Sequence, residues 1–173
     1  SRAICYDNAI SIDLSESHPD KSVREKFKLK ADLLTPISKS WSTDVGVEVA
    51  SLGIQVHGGM GFIEETGVAQ FFRDSRIAPI YEGTNGIQAI DLVMRKLLIA
   101  NGEGLKNFVN EFENTLSICL KEKNNDLQLI SKNFSEAIDS VKISTEKLSQ
   151  RIKSNDSYSA LFVASDYLNL LGI

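Results

Sequence analysis

The feature that most constrains the fold is a helical spacing of apolar and small residues sustained over a long stretch. Such residues occupy positions 31, 34, 38, 41, 45, 49, 52 and 56. This alternating three-four step predicts one long, buried helical stripe. Pro36 lies inside it, so we expect a kink or a break near Leu34. No stretch shows the alternation of a half-buried strand, and the predicted fold class is therefore all-α.

Helices are also predicted on both sides of this stripe. Residues 1–17 form an amphipathic pattern that ends at a Ser-His-Pro turn, after which Asp20 or Ser22 can cap the long helix. Beyond Leu105 the apolar residues keep helical spacing, and the segment 124–126 breaks them into an antiparallel pair. A last helix is predicted to begin at 154–156.

The Asn-Gly-Glu-Gly segment at 101–104 is the clearest internal boundary. It predicts a helical-bundle domain over residues 1–100 and a helical extension over residues 101–173. Both chain ends lie close to helical patterns, and the first residue is Ser1 rather than Met. We therefore expect a truncated piece of a longer protein.

Composition excludes several function classes. A net charge of -4 in 173 residues argues against nucleic acid or an anionic membrane as the main partner. The apolar runs are too short to span a bilayer. Two scattered cysteines, Cys5 and Cys119, do not suggest a disulfide framework, so a cytoplasmic location is expected. Two separate histidines, His18 and His57, do not make a metal site.

The stretch 55–88 concentrates the residues that could carry chemistry. Its Gly58-Gly59-Met60-Gly61 segment is either a plain turn between helices or a place where backbone approaches a phosphate or a flat cofactor. The segment matches neither the P-loop nor the dinucleotide fingerprint. A shorter helix is predicted from about Glu64 to Ser75, and Thr84 or Asn85 is predicted to cap the next helix.

Glu82 is the candidate general base. It follows an apolar run, Ile77–Ile80, where water is expected to be scarce, and such surroundings suit a carboxylate to proton abstraction near neutral pH. The alternative is an ordinary exposed turn carboxylate. Arg73 and Asp74 are interpreted as a structural ion pair or a helix cap, and His57 as a hydrogen-bonded residue at the edge of the core.

Three ordered blocks in this stretch resemble the C-terminal helical domain of the acyl-CoA dehydrogenase family. The resemblance covers about residues 30 to 100, and it implies the helical bundle of that domain with additional C-terminal helices. The blocks are Gln55-x-x-Gly58-Gly59-x-Gly61-Phe62, Arg73-Asp74-x-Arg76-Ile77 and Ile80-Tyr81-Glu82-Gly83-Thr84-x-x-Ile87-Gln88.

The resemblance implies an FAD-dependent enzyme of fatty acid metabolism and β-oxidation that introduces an α,β double bond into an acyl-CoA thioester. Glu82 would take the α-proton, flavin N5 would accept the β-hydride, and the Glu82 N–H would polarise the thioester carbonyl. Tyr81 and Gly83 would line the acyl-CoA site. An electron-transfer flavoprotein would reoxidise the flavin.

The resemblance also implies two groups of FAD contacts. One group would lie against the flavin nucleotide and comprises Thr84, Asn85 and Gly86. The other would touch the FAD of a neighbouring subunit and comprises Gln55, Val56, His57, Gly58 and Gly59. A homo-oligomer, either a dimer or a tetramer, would then be part of the active site.

The chain departs from the family pattern at Gln70, where a basic residue is frequent, and at residues 66–69, where a Tyr-Pro-containing stretch is usual. With the long tail, this variant looks like the branch that acts on 3-methylmercaptopropionyl-CoA or related short thioesters. The family's amino-terminal helical and middle β domains are not in this sequence. The isolated chain is therefore expected to bind FAD poorly and to be inactive.

Two alternatives remain open at this point. One is a noncatalytic helical assembly or interaction protein with the same fold. The other is an acyl-CoA oxidase-like flavoprotein, which would pass electrons directly to oxygen.

Overall fold

The computed structural model describes residues 1–173 and contains helices joined by turns, without a strand. The prediction of an all-α fold is confirmed. None of the helices combines the length and the apolar character needed to cross a membrane. The helices are α1 (Arg2–Ser17), α2 (Lys21–His57), α3 (Gly59–Phe62), α4 (Val68–Ser75), α5 (Asn85–Met94), α6 (Glu103–Cys119), α7 (Asn125–Lys153), α8 (Ser157–Phe162) and α9 (Ala164–Gly172), with short 3₁₀ segments at Glu64–Thr66 and Lys96–Gly102.

The long helix α2 begins at Asp20, whose carboxylate accepts a hydrogen bond of 2.8 Å from the Ser22 N–H. The predicted cap is confirmed. A kink or a break was predicted near Leu34; the break is wrong, because α2 runs through Pro36 without interruption, and the kink stays a prediction. Proline removes one backbone donor from the helix. Leu34 and Ile37 on the same turns are fully buried, and this apolar burial offsets the missing hydrogen bond.

One hydrophobic core joins the first half of α2 to the C-terminal helices. Its buried side chains come from α2, α5, α6, α7, α8, α9 and the 3₁₀ segment Lys96–Gly102. Phe112 extends it with edge-to-face contacts to Phe108 and Phe134, at ring-centroid distances of 4.6 and 5.4 Å. The buried cluster runs through both segments of the chain, and the division at residue 100 stays a prediction.

Polar contacts fix α1 and α6 against the same part of α2. The Lys30 ammonium lies 3.0 Å from Asp7 of α1 and 2.8 Å from Glu111 of α6. Burial alone would lower the pKa of Lys30, but the hydrogen bonds to these carboxylates outweigh burial and raise it. Next to this group, the buried Asn8 amide donates a 3.1 Å hydrogen bond to Ser38. The charged and polar groups at this contact between α1, α2 and α6 are therefore paired with one another.

The second half of α2 extends beyond the core. Val49, Leu52 and Val56 are 61%, 55% and 84% exposed. The predicted buried stripe is thus wrong from Val49 onward, because no element of the chain packs on that face. Trp41 and Val45, where the stripe leaves the core, are half-buried.

Two predicted helices are divided in the structure. Gly67 adopts φ 74° and separates the Glu64–Thr66 segment from α4, so the helix predicted from about Glu64 to Ser75 is shorter. The last predicted helix begins after Asp156, whose carboxylate accepts from the Ser159 N–H, and it is divided at Val163 into α8 and α9. A left-handed residue cannot continue a right-handed helix, which explains the first division.

The close contact between α9 and α2 generates a stability prediction. A Cβ added at Gly172 would lie 2.6 Å from Trp41 Cδ2, well inside van der Waals distance. We expect Gly172→Ala to lower the free energy of unfolding by roughly 1–3 kcal/mol, as overpacking does. Gly46→Ala is the matched control, because nothing lies within 4 Å of its added Cβ in the exposed part of α2. It should stabilise the chain by about 1 kcal/mol through helix propensity. Equal stabilities of the two variants in urea denaturation would contradict this close contact.

The buried Tyr167 generates a prediction about pH. Its hydroxyl lies 2.6 Å from Thr145 Oγ1, and burial raises its pKa from 10.0 to about 12, with the Thr145 hydrogen bond opposing the shift. Between pH 10 and about pH 12, the Tyr167 hydroxyl is deprotonated in the unfolded chain but keeps its proton in the folded chain. The stabilising contribution is therefore complete below pH 10 and is lost by about pH 12, a change of about 2 kcal/mol.

Denaturation at a series of pH values measures this loss. We expect Tyr167→Phe to abolish this loss of stability at high pH. Tyr158→Phe should leave the loss unchanged, since the Tyr158 side chain is 90% exposed. An undiminished loss of stability in Tyr167→Phe would show that other groups are responsible.

Candidate functional site

The candidate base lies at the tip of a loop that joins α4 to α5. The Asn85 N–H donates to the Pro79 carbonyl at 3.0 Å and closes the loop, while Thr84 caps α5 by accepting from the Ile87 N–H at 3.3 Å. The prediction of a cap at Thr84 or Asn85 is confirmed for Thr84. Glu82 is thus carried on a short closed loop rather than on a helix.

The loop tip has an unusual backbone conformation. Glu82 has φ 53° and Gly83 has φ 83°, both in the left-handed region. Glycine adopts this region freely, whereas a residue with a Cβ is strained there by about 1–2 kcal/mol. Such strain persists only where the surroundings impose it. Sequence reasoning identified a turn here but not the left-handed Glu82.

The polar groups of Glu82 are divided between the chain and the solvent. Its carbonyl accepts a 3.1 Å hydrogen bond from Gln88 Nε2. Its N–H donates to no acceptor in the chain, and its side chain is exposed. The expectation that water is scarce around Glu82 is therefore wrong for this chain by itself. The exposed side chain is accessible to a ligand, and the N–H is left without an acceptor inside the chain.

A network of side chains attaches the loop to the middle of α2. Lys39 Nζ donates to the Gly83 carbonyl at 2.8 Å and to Asn85 Oδ1 at 2.7 Å. Asn85 Nδ2 donates to Asp44 Oδ1 at 2.7 Å, and its other contacts are with Ser40 O and Thr43 Oγ1. The loop is therefore held by one cation and one amide that both bridge it to α2.

Charge and burial act in opposite directions on Lys39. Burial lowers its pKa below the ordinary lysine value, and the carboxylates of Asp44 and Glu82 oppose this shift. Sequence reasoning missed Lys39 and Asp44. They are more than forty residues away from Asn85 along the chain, and no local spacing signals the contact.

The second candidate group lies at the end of α2. His57 Nδ1 lies 2.8 Å from the Gly53 carbonyl, so Nδ1 carries the hydrogen, because a carbonyl can only accept. The hydrogen bond predicted for His57 is present, and the residue is exposed. Gly58 adopts φ 59° and ψ -141°, a combination that is almost confined to glycine.

The glycine segment leaves backbone open to a ligand. No atom lies within 4 Å of a Cβ added at Gly58 or Gly59, so a flat or anionic group could approach the backbone there. Gly61 differs, since an added Cβ would lie 2.4 Å from the Ile54 carbonyl oxygen. It allows α3 to pack against α2. The observed open surface is compatible with a cofactor such as FAD.

The structure does not bring the two candidate groups together. The loop is attached near Thr43, whereas Gly58 ends the same helix. At about 1.5 Å of rise per residue, these two positions are about 20 Å apart along the axis. All the predicted site residues are exposed except Asn85, which is half-buried. A single small ligand cannot touch both groups of one chain.

The Arg-Asp block has a structural contact that differs from the predicted one. Arg73 pairs with Glu64 at 3.0 Å rather than with Asp74, and so connects α4 to the preceding 3₁₀ segment. Adjacent residues on a helix point in different directions, whereas Glu64 lies beside Arg73 in the fold. Arg73 therefore still has a structural role, but its ion-pair partner is Glu64 and not Asp74.

Comparison with known proteins finds a family model that matches part of the chain and several relatives. A family model described as acyl-CoA dehydrogenase, C-terminal domain, matches residues 21–98. A 3-methylmercaptopropionyl-CoA dehydrogenase of Ruegeria pomeroyi is 51% identical over 107 residues, which are 62% of this chain and 18% of that protein. A butyryl-CoA dehydrogenase of Syntrophomonas wolfei is 34% identical over 110 residues, 64% of this chain and 18% of that protein.

A more distant relative extends into the C-terminal helices. Acyl-CoA dehydrogenase family member 11 of Caenorhabditis elegans is 29% identical over 157 residues, covering 91% of this chain and 24% of that protein. The chain thus spans about a fifth of the length of the curated relatives it matches.

The left-handed backbone of Glu82 generates a prediction about stability. We expect Glu82→Gly to be more stable than Glu82→Ala by roughly 1 kcal/mol, because only glycine avoids the Cβ strain. Glu103 is the control position, since its φ of -60° is helical. There the order should reverse, with alanine the more stable. Urea denaturation of the four variants measures both differences, and the same order at both positions would contradict a left-handed Glu82.

Proposed function

We propose that this chain, whose residues 21–98 belong to the acyl-CoA dehydrogenase family as its C-terminal domain, is part of a flavin-dependent enzyme that introduces an α,β double bond into an acyl-CoA thioester. The observation that carries the proposal is the loop tip at Glu82. The exposed side chain and the unpaired N–H of the same residue are carried together on a closed, attached loop.

Glu82 has two roles in this proposal. Its carboxylate takes the proton from the α carbon, and its N–H donates to the thioester carbonyl, where negative charge develops as that proton leaves. Tyr81 and Gly83 line the acyl-CoA on either side. When bound, FAD supplies the acceptor for the hydride of the β carbon. Water is excluded from Glu82 by the parts of the enzyme that cover its exposed side chain.

The separation of the two candidate groups supports an oligomeric active site. Thr84, Asn85 and Gly86 are proposed to lie against the flavin nucleotide beside Glu82. The Gln55–Gly59 segment, about 20 Å away along α2, is proposed to contact the FAD of a neighbouring subunit. The side chain and the N–H of Asn85 are both engaged within the chain, so its proposed role includes holding the loop. The exposed apolar face at Val49, Leu52 and Val56 supports burial in such an assembly.

The substrate proposed is 3-methylmercaptopropionyl-CoA or another short acyl-CoA. The 51% identity to a relative named for that thioester supports it, although the aligned residues are 18% of that relative. An electron-transfer flavoprotein is proposed as the electron acceptor. The cysteines Cys5 and Cys119 are both unpaired, which is compatible with the proposed cytoplasmic location.

A noncatalytic assembly protein of the same fold is the second candidate function. The observation that favours it is the same exposed apolar face of α2, which an interaction surface alone would explain. Such a protein needs no base, so the chemistry of Glu82 distinguishes the two candidates.

Anaerobic flavin reduction tests the proposed function. In the full-length protein that carries this chain, purified with FAD, we expect butyryl-CoA or 3-methylmercaptopropionyl-CoA to bleach the oxidised flavin band. Glu82→Gln keeps the side-chain shape but cannot accept the α-proton, so its bleaching rate should fall by at least about a hundredfold.

The control is Glu65→Gln, which changes an exposed carboxylate of the 3₁₀ segment before α4 and should leave bleaching unchanged. Bound flavin that neither thioester bleaches would favour the noncatalytic candidate. Rapid reoxidation by oxygen with hydrogen peroxide release would instead identify an oxidase. A folded full-length protein that binds no flavin would overturn the family activity.

A further inference from the structure

The loop that carries Glu82 has a cationic attachment that the proposed chemistry does not use. Lys39, in the middle of α2, reaches across to the loop and contacts two successive parts of it. Its Nζ lies 2.8 Å from the Gly83 carbonyl oxygen and 2.7 Å from Asn85 Oδ1. Hydrogen bonds from a charged donor are stronger and shorter than neutral ones. One ammonium therefore links the backbone just after Glu82 to the first residue of α5.

The geometry explains why such a link is needed. The left-handed φ of 53° at Glu82 is unfavourable for a residue with a Cβ, and the loop would relax if its ends were free. The carbonyl of Glu82 is held by Gln88, and that of Gly83 by Lys39. The two consecutive carbonyls are thereby fixed by different helices, one by α5 and the other by α2.

The rest of the network fixes Lys39 itself. Asn85 accepts from Lys39 through its oxygen and donates to Asp44 through its nitrogen, so the amide orientation is determined by charged groups on both sides. The carboxylates of Asp44 and Glu82 are the anionic groups that interact electrostatically with the Lys39 ammonium. Loss of the ammonium would leave Gly83 O without a donor and Asp44 without its nearby cation.

We propose that Lys39 is a positioning residue. By binding the Gly83 carbonyl, it holds Glu82 and Gly83 in their left-handed conformations and so positions the Glu82 carboxylate and N–H. The inference rests on the proposed function for its catalytic consequence, but the structural consequence can be measured separately. Lys39 touches neither substrate nor cofactor in this role.

The test uses the full-length, FAD-containing protein with Lys39→Met, Lys39→Arg and a control, Lys28→Met. Lys28 lies on the same helix, is exposed, and pairs with Asp32 at 3.7 Å, away from the loop. The first readout is amide hydrogen exchange of a peptide covering the loop. The second is the rate of anaerobic flavin reduction by butyryl-CoA, measured with the flavin content, the thioester affinity and the melting temperature.

We expect loop exchange in Lys39→Met to rise at least about tenfold and flavin reduction to slow by about 10- to 100-fold, as for a displaced catalytic group. Flavin content, thioester affinity and melting temperature should stay close to the wild type. Lys39→Arg keeps a cationic donor and should recover part of both losses. Lys28→Met should match the wild type in every readout.

Loop exchange that is unchanged in Lys39→Met would overturn the proposal. It would also be overturned if the variant lost melting temperature and activity together, with loop exchange rising no more than elsewhere in the chain. Should Lys39→Met fail to fold, Lys39→Gln, which keeps a donor without the charge, decides by the same two readouts. If thioesters do not reduce the wild-type flavin, the proposed function fails, and hydrogen exchange still decides whether Lys39 holds the turn.

Discussion

The burial of one short part of α2 is the constraint on which the rest of the structure depends. Leu33, Leu34 and Ile37 are almost inaccessible and belong to a helix that packs against α5, α6 and α9. Because the apolar area removed from water here is shared by helices distant in sequence, the burial of α2 ties the tail to the first hundred residues. Lys30 adds a second connection between α1, α2 and α6 on the adjacent surface. The strained loop is attached to the same rigid helix a few residues later.

The chain thus combines a well-packed region with an uncovered one. Where α2 is buried, polar groups are paired and no buried side-chain nitrogen or oxygen lacks a hydrogen bond. Where it emerges, large apolar side chains and the predicted site residues are exposed together. The same residues that resemble a flavin and thioester site therefore lie on the surface that a larger assembly would cover. This arrangement accounts for a carboxylate that is held firmly in its backbone but is exposed to solvent.

Sequence patterns predicted the features that depend on local physics. The all-α fold, the cap at Asp20 and the cap at Thr84 follow from spacing and from side chains that bond to their own helix ends. The break expected near Leu34, as one of two alternatives, and the burial of Val56 are wrong, because each depends on what packs against α2 rather than on α2 itself. The attachment of Gly83 and Asn85 by Lys39 could not be predicted, since it joins residues brought together only by the tertiary fold. The roles of the candidate site residues stay predictions.

The continuity of α2 through Pro36 has a mechanical consequence. Because the core holds only the first half of α2, a small rotation there becomes a larger translation of the far end, together with α3 and α4, which pack on α2. With about 20 Å between Thr43 and Gly58, a tilt of about 10° would move the glycine end by about 3–4 Å, more than the length of a hydrogen bond. The volumes of the side chains packed around Leu34 and Ile37 therefore influence the position of the distant Gly58–Gly61 segment. Core substitutions that are neutral for folding can therefore change how accurately that end meets the proposed neighbouring subunit.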